Sequence, residues 1–241
     1  MREIVNKRLM ITSSLLDSLD FHVGMSSHSD WKLKSLESLR KTLSRTGDFE
    51  ETAATHRGKE FEDQLCSFSR IPRDKFLQVM QKFCICDVEK LGPFYDAVTG
   101  GQFQKVVKGD LDIDGQKVFL YGKEDVFHPG KILDIKTTAS AWIADGRYPS
   151  DAKYRSRNQH TMYMCLDGVH NFDYLIAEFT NTGTADKPEW MVLDTHTVSI
   201  EIKDLNAEMD RLKKKISDAL DFFAQDQEMW YNLCNVYTKS W

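Results

Sequence analysis

The stretch GKEDVFHPGKILDIKTT, Gly122 to Thr138, decides how this 241-residue chain is read. An apolar alternating run reaches Asp125, His128-Pro129-Gly130 supplies a tight turn, and a second run delivers Asp134-Ile135-Lys136. Facing residues of a hairpin have a constant sum of numbers, so a turn centred between Pro129 and Gly130 sets Asp125 opposite Asp134. Side chains alternate along a strand, so Lys136 shares the face of Asp134 and Ile135 takes the other. Two acids and a lysine are expected to meet on one side of a sheet. Glu124 then points to the face of Ile135, which ought to be apolar. A bulge or a one-residue slip would bring Glu124 to Asp134 instead of Asp125.

Asp112 is a second candidate, because Gly109-Asp110-Leu111-Asp112 has the same glycine-to-acid spacing as Gly122 to Asp125. The Asp114-Gly115 pair is a two-residue hairpin signal that sets Asp112 opposite Lys117. The partner of Asp134 lies eight residues further along that strand, roughly 26 Å away at about 3.3 Å per residue. Asp112 is thereby excluded from any site containing Asp134.

Upstream, Met10 to Leu19, Asp30 to Ser44 and Thr55 to Phe68 have apolar residues three and four apart, as helices do. The period changes at Phe103 to Ile113 and Lys117 to Tyr121, which with Lys131 to Lys136 make a three-strand meander. A polar connection leads to a helix over about Asn158 to Leu166. Strands follow at Phe172 to Phe179 and Trp190 to Leu193, then a long amphipathic helix over Ile200 to Phe223. Residues 71 to 90 carry no clear pattern. The length suits one domain: a helical extension at 1–54, a core at 55–180, and a strand with a long helix at 181–241.

The ordered set Gly58-x-x-x-Glu62, Gly122-x-x-Asp125, Asp134-Ile135-Lys136 and Gln159-x-x-x-Tyr163 resembles the PD-(D/E)XK nuclease superfamily. The similarity is to the branch with the RecB nuclease domain, lambda exonuclease and the CRISPR adaptation nucleases. Helix, three-strand antiparallel meander, helix and further strand is that family's core order. The resemblance therefore implies an α/β (α+β) fold with a restriction-endonuclease-like core and helical additions at both ends. It also implies a metal-dependent deoxyribonuclease, an exonuclease or end-processing enzyme of recombination and repair, of a type found in phages and mobile elements.

On that reading Asp125 and Asp134 hold Mg²⁺ or Mn²⁺, hard cations that prefer oxygen donors. The Ile135 carbonyl is a further ligand by resemblance, and Glu62 completes the site or holds a second metal through water. Lys136 orients or helps deprotonate the attacking water. Glu60 and Asp63 are near alternatives to Glu62, and His56 is a weaker upstream candidate. Gln159 and Tyr163 are four apart on one helical face, where an amide and a phenol can engage a phosphate and the lysine. Arg147, Lys153, Arg155 and Arg157, interleaved with Trp142, Tyr148 and Tyr154, suit a phosphate backbone and unpaired bases. Lys213-Lys214-Lys215 reads as a solvated helix face.

A net charge of −5 is not that of a general nucleic-acid binder, although metal-binding acids count against a local basic patch. Cysteines 66, 84, 86, 165 and 234 are odd in number and scattered, which argues against a disulfide framework. Iron-sulfur relatives group three cysteines near the C-terminus, where this chain has only Cys234, so no iron-sulfur cluster is expected. The N-terminal MREIVNKRLM lacks a signal-peptide core and no run is long enough to span a membrane, so a cytoplasmic location is expected. DNA is the implied partner, with a recombination protein as a second and no membrane. Oligomeric state, polarity and strand preference are not encoded in any motif.

Overall fold

The computed structural model describes residues 4–25, 29–46, 52–83, 87–139, 143, 146, 151–184, 187 and 189–240. Its chain order is β1 (Leu9–Thr12), α1 (Ser13–Gly24), α2 (Ser29–Ser44), α3 (Ala53–Phe68), α4 (Arg73–Met80) and α5 (Gly92–Val98). Then come β2 (Gln102–Ile113), β3 (Gln116–His128), β4 (Lys131–Thr138), α6 (Ala152–Arg155) and α7 (Asn158–Asp167). Then follow β5 (Asn171–Asn181), β6 (Trp190–Glu201), α8 (Leu205–Ala224) and α9 (Gln227–Asn232), with a π-helical turn over Leu233–Tyr237 and a 3-10 turn over Thr238–Ser240 after it.

Both turns of the meander obey their residues. Asp114 and Gly115 take φ of 53° and 85°, the left-handed pair that a two-residue turn requires, and Ile113 faces Gln116. Gly130 has φ of 86°, and the next ladder runs Val126↔Leu133, Phe127↔Ile132 and His128↔Lys131. That is the expected register. β4 then pairs parallel to β5, and β5 antiparallel to β6. The three-strand meander, the following helix and the further strand agree with the restriction-endonuclease-like core.

Two apolar layers enclose the sheet. One contains Phe61 and Leu65 of α3, Phe76 of α4 and Phe94 of α5 against Val126, Leu133, Ile135 and Leu175. The other joins Leu15 of α1, Leu39 of α2, Met162 of α7 and Ile216 of α8 to Val118, Leu120, Ile132, Phe172 and Ile176. The parity of β4 is explicit here, with Ile132 in one layer and Leu133 and Ile135 in the other.

β3 is the strand on which the rest depends. β2 lies along one of its edges from Gln116 to Phe127, so β1 and β4 must share the other. β1 pairs parallel with Val118 to Tyr121, and β4 joins at Val126 to His128. Gly122 to Asp125 are left between them as a gap in the ladder, a fork from which β1 and β4 diverge.

Four expectations need correction. Residues 10–12, read as the start of a helix, belong to the strand β1, and α1 starts only where Thr12 caps it by accepting from the Leu15 N–H. β6 runs on to Glu201, so the late helix begins at Leu205, capped by Asp204, and not at Ile200. The unpatterned 71–90 contains α4. Lys215 is not merely solvated: it reaches Asp20 at 2.6 Å and Asn158 at 2.8 Å, tying α8 to α1 and to the start of α7. Among the described residues no helix is long and apolar enough to cross a membrane.

Candidate active site

The fork in β3 is where the predicted residues meet. Asp125 does not continue the ladder with a backbone bond; its Oδ2 accepts the Ile135 N–H at 2.8 Å. On the same open edge the Lys123 N–H donates to the Tyr163 hydroxyl at 3.3 Å. Gly122 is required for that approach, since a Cβ there would stand 2.1 Å from the Tyr163 ring. Two strand amides orphaned by the fork are thus satisfied by a carboxylate and a phenol.

Asp134 is 2% exposed. Gln159 Nε2 donates to its Oδ1 at 2.5 Å, and Lys136 Nζ stands 2.6 Å from its Oδ2. That second contact is an ion pair without hydrogen-bond geometry, so the buried oxygen has no hydrogen-bond donor. Gln159 and Tyr163 do come from one face of α7, as their spacing of four predicted.

Glu62 approaches from α3, which packs closely on β4 at Gly58: a Cβ there would lie 3.1 Å from the Thr137 hydroxyl. Its carboxylate accepts from the Gln104 side chain. Gln104 is a residue that sequence reasoning missed. It belongs to β2 with φ of 55°, and no local pattern marks a glutamine in mid-strand for that conformation.

The electrostatics follow from crowding. Burial, then Asp134, then Glu62 hold the Asp125 carboxyl well above the usual carboxylate range, against the pull of Lys136. Burial, then Asp134 and Asp63 push Glu62 up as well. Burial works hardest against the Lys136 charge, but Asp134 and Asp125 outweigh it and the ammonium is held above its ordinary value. Three acids and one lysine form a cluster with a surplus of negative charge.

A divalent cation would relieve that surplus. The donors are hard oxygens of the type such ions take, and the Asp134 oxygen that lacks a hydrogen-bond donor fits that use. As the side chains stand, no three His, Cys, Asp or Glu residues among the described ones converge as a finished metal cage. Gln159, Lys136, Gln104 and the Ile135 amide occupy oxygens of the three acids.

The alternatives resolve by position. Asp112 pairs with Lys117 at the far end of the meander, where its Oδ1 accepts from the Gly115 N–H at 2.7 Å. Glu124 is fully buried but turned toward Lys105, 3.8 Å away, and Asp167 at the end of α7, with no hydrogen bond to either oxygen. Val126, two residues on, lies in the α3-side layer, so β3 exchanges faces around Asp125 while its register with β2 is unchanged. The exchange falls opposite Gln104. His56 and Glu60 line clefts on the outer side of α3 and make no contact with Asp125 or Asp134. Asp63 joins them in one cleft and reaches the site only through its charge on Glu62.

Of the expected DNA-facing residues, Arg147 lies outside the described residues, as do Trp142 and Tyr148. Lys153 and Arg155 sit on α6, with Arg155 3.4 Å from Asp151. Arg157 precedes α7, 3.5 Å from Asp17, and is near enough to weigh against the charge of Lys136. Tyr154 is 5% exposed and tilted against Tyr174 at 5.1 Å between centroids, so it is not offered to a base. Cys66, Cys165 and Cys234 are free thiols, while Cys84 and Cys86 lie outside the described residues.

Comparison with known proteins finds likeness in structure only. No protein-family model and no curated protein matches the sequence. The fold is shared with a phage-related exonuclease from Haemophilus somnus, with a TM-score of 0.52 and 16% identity over 91% of this chain and 95% of that one. An alkaline exonuclease from Laribacter hongkongensis aligns over 92% of this chain and 90% of its own, with a TM-score of 0.47 and 15% identity.

Proposed function

We propose that this chain is a metal-dependent deoxyribonuclease, an exonuclease or end-processing enzyme of recombination and repair. The observation that carries the reading is the fork in β3, at which four separate motifs deliver Glu62, Asp125, Asp134-Ile135-Lys136 and Gln159 to one cluster. A sheet gains nothing in stability from gathering acids that raise one another's pKa. Exonuclease over endonuclease rests on the resemblance of the motifs alone.

Asp125 and Asp134 would hold Mg²⁺ or Mn²⁺, with the Ile135 carbonyl and Glu62 as further donors. When bound, such an ion neutralises charge on the phosphoryl oxygens and lowers the pKa of water. Lys136, held charged between the acids, orients the attacking water. Gln159 fixes Asp134 and, once released from it, can donate to a phosphate oxygen. Tyr163 keeps the Lys123 amide satisfied, so that the fork stays open. Lys153, Arg155 and Arg157 would meet the DNA backbone beyond α7.

A catalytically silent nuclease-fold module that binds DNA or protein is the second reading. It is favoured by one observation: each acid already has a polar partner of its own. One experiment decides between them. Purified protein is incubated with labelled linear, circular and single-stranded DNA in magnesium, manganese or chelator. Cleavage restored by either metal and abolished by chelator is expected; DNA binding without cleavage under any metal would select the silent module.

A further inference from the structure

Gln104 holds a backbone conformation that its place in the fold does not call for. Arg45, Gln104 and Asp114 are the non-glycine residues with positive φ among those described. Arg45 stands just past the end of α2 and Asp114 in a two-residue turn, the usual places for a left-handed residue. Gln104, with φ of 55°, lies inside β2. Its side chain is too long for the local hydrogen bond that eases asparagine or aspartate into this region.

The kink changes what the strand presents. Lys105 points to the α7 side, where it meets Asp167, and Val107 and Leu111 follow with the same parity. Phe103 ought to join them, yet it packs in the α3-side layer. Phe103 and Gln104, neighbours that a regular strand sends to opposite faces, thus both turn to α3, and the Gln104 amide donates to Oε1 of Glu62. Glycine at 104 would give the same kink without strain. A glutamine retains the strain and adds the amide on Glu62, a carboxylate whose charge acts on Asp125 and feels that of Asp134.

We propose that Gln104 is the positioning residue of Glu62, and that the left-handed kink in β2 serves to aim a neutral amide at that carboxylate. The role rests on the nuclease reading, in which Glu62 is a donor to the cation held by Asp125 and Asp134. An amide suits it, because it orients the carboxylate through an N–H and leaves the negative charge intact. A lysine or arginine in its place would pair with Glu62 and compete with a divalent ion for it.

The test reads Mn²⁺ binding to the full-length protein without DNA, from the electron paramagnetic resonance signal of the free ion. Gln104→Met keeps the length of the side chain and the strain but removes the donor, and its Mn²⁺ affinity should fall roughly 10–100-fold. Gln104→Gly removes strain and donor together. It should lose as much Mn²⁺ affinity as Gln104→Met while unfolding at a higher urea concentration than that variant, a split that a merely structural role would not produce. Because Gln104 acts through Glu62, adding Gln104→Met to Glu62→Gln should change Mn²⁺ affinity by less than about twofold. Unchanged Mn²⁺ affinity in both Gln104 variants, or an equal loss with and without Glu62→Gln, overturns the positioning role and leaves the kink as packing. If Gln104→Met does not fold, Gln104→Gly carries the same comparison in both backgrounds. Failure of the nuclease reading is separately visible, as a parent that cleaves no DNA in magnesium or manganese while its Mn²⁺ affinity still depends on Gln104.

Discussion

The Asp125 carboxylate replaces a rung of the sheet: its Oδ2 takes the Ile135 N–H at 2.8 Å where the β3–β4 ladder has ended at Val126 and Leu133. A side chain that closes the ladder also fixes its own position. Asp125 is thereby held beside Asp134 and Lys136 by the backbone that carries them.

The first expectation follows from that tie. Asp125→Asn and Asp134→Asn should each lower cleavage by ~10²–10³-fold or more, the scale for losing one preorganised electrostatic group. Both should stay folded, because an amide costs less to bury here than mutually repelling carboxylates. Single-turnover rates in saturating magnesium, beside thermal unfolding, check this; undiminished cleavage by both variants would sink the site.

Lys136→Ala separates chemistry from binding. Hydrolysis should be lost while DNA affinity, measured in chelator, stays within a few fold, since one lysine is only part of the phosphate attraction. Its removal leaves buried Asp134 without its cation, so stability should also fall, by roughly 1–3 kcal/mol. Retained cleavage in that variant would exclude Lys136 from the reaction.

Glu124 and Asp112 provide the register control. Glu124 has both oxygens buried without hydrogen bonds, and Asp112 serves only the Asp114-Gly115 turn. Glu124→Gln and Asp112→Asn should therefore cleave at near wild-type rate, and Glu124→Gln should unfold no earlier than the parent. An inactive, well-folded Glu124→Gln would mean that the acid beside Asp125 had been misassigned.

His160 sets an acid limit on stability. Burial, then Arg155, lowers its pKa to about 4, while its Nδ1 lies 3.1 Å from the Tyr174 hydroxyl. The unfolded chain protonates this group near 6.5 and the folded one near 4, so its neutral state supports the fold above 6.5. That support drains away as the pH falls from about 6.5 to about 4, by of order 2–3 kcal/mol. Urea unfolding at pH 7 and pH 4.5 should show a smaller acid loss in His160→Gln than in the parent; parallel losses would remove His160 from the account.

The legible parts of the sequence were those fixed by turn chemistry. Asp114-Gly115 and Pro129-Gly130 set both hairpin registers, and from these followed the exclusion of Asp112 and the meeting of Asp125 with Asp134. Helical spacing brought Gln159 and Tyr163 to one face. β1 was not legible, because Leu9 to Thr12 are four buried residues running straight into a helix, and so short a strand has no period of its own. Gln104 and the change of face in β3 were hidden for another reason. They arise where three strands meet on β3, two of them sharing one edge, which no window of local sequence contains.

The fork also tells which length changes the chain can absorb. β1 leaves β3 at Tyr121 and β4 arrives at Val126, so the four residues between them act as a gauge block held from both ends. One added residue there would turn Asp125 to the other side of the sheet, and two would carry it past Ile135 without changing its side. The Asp114-Gly115 loop and the connection after Thr138 hold neither end of that gauge. Drift in length is expected to collect in those loops, while Gly122 to Asp125 keeps its count.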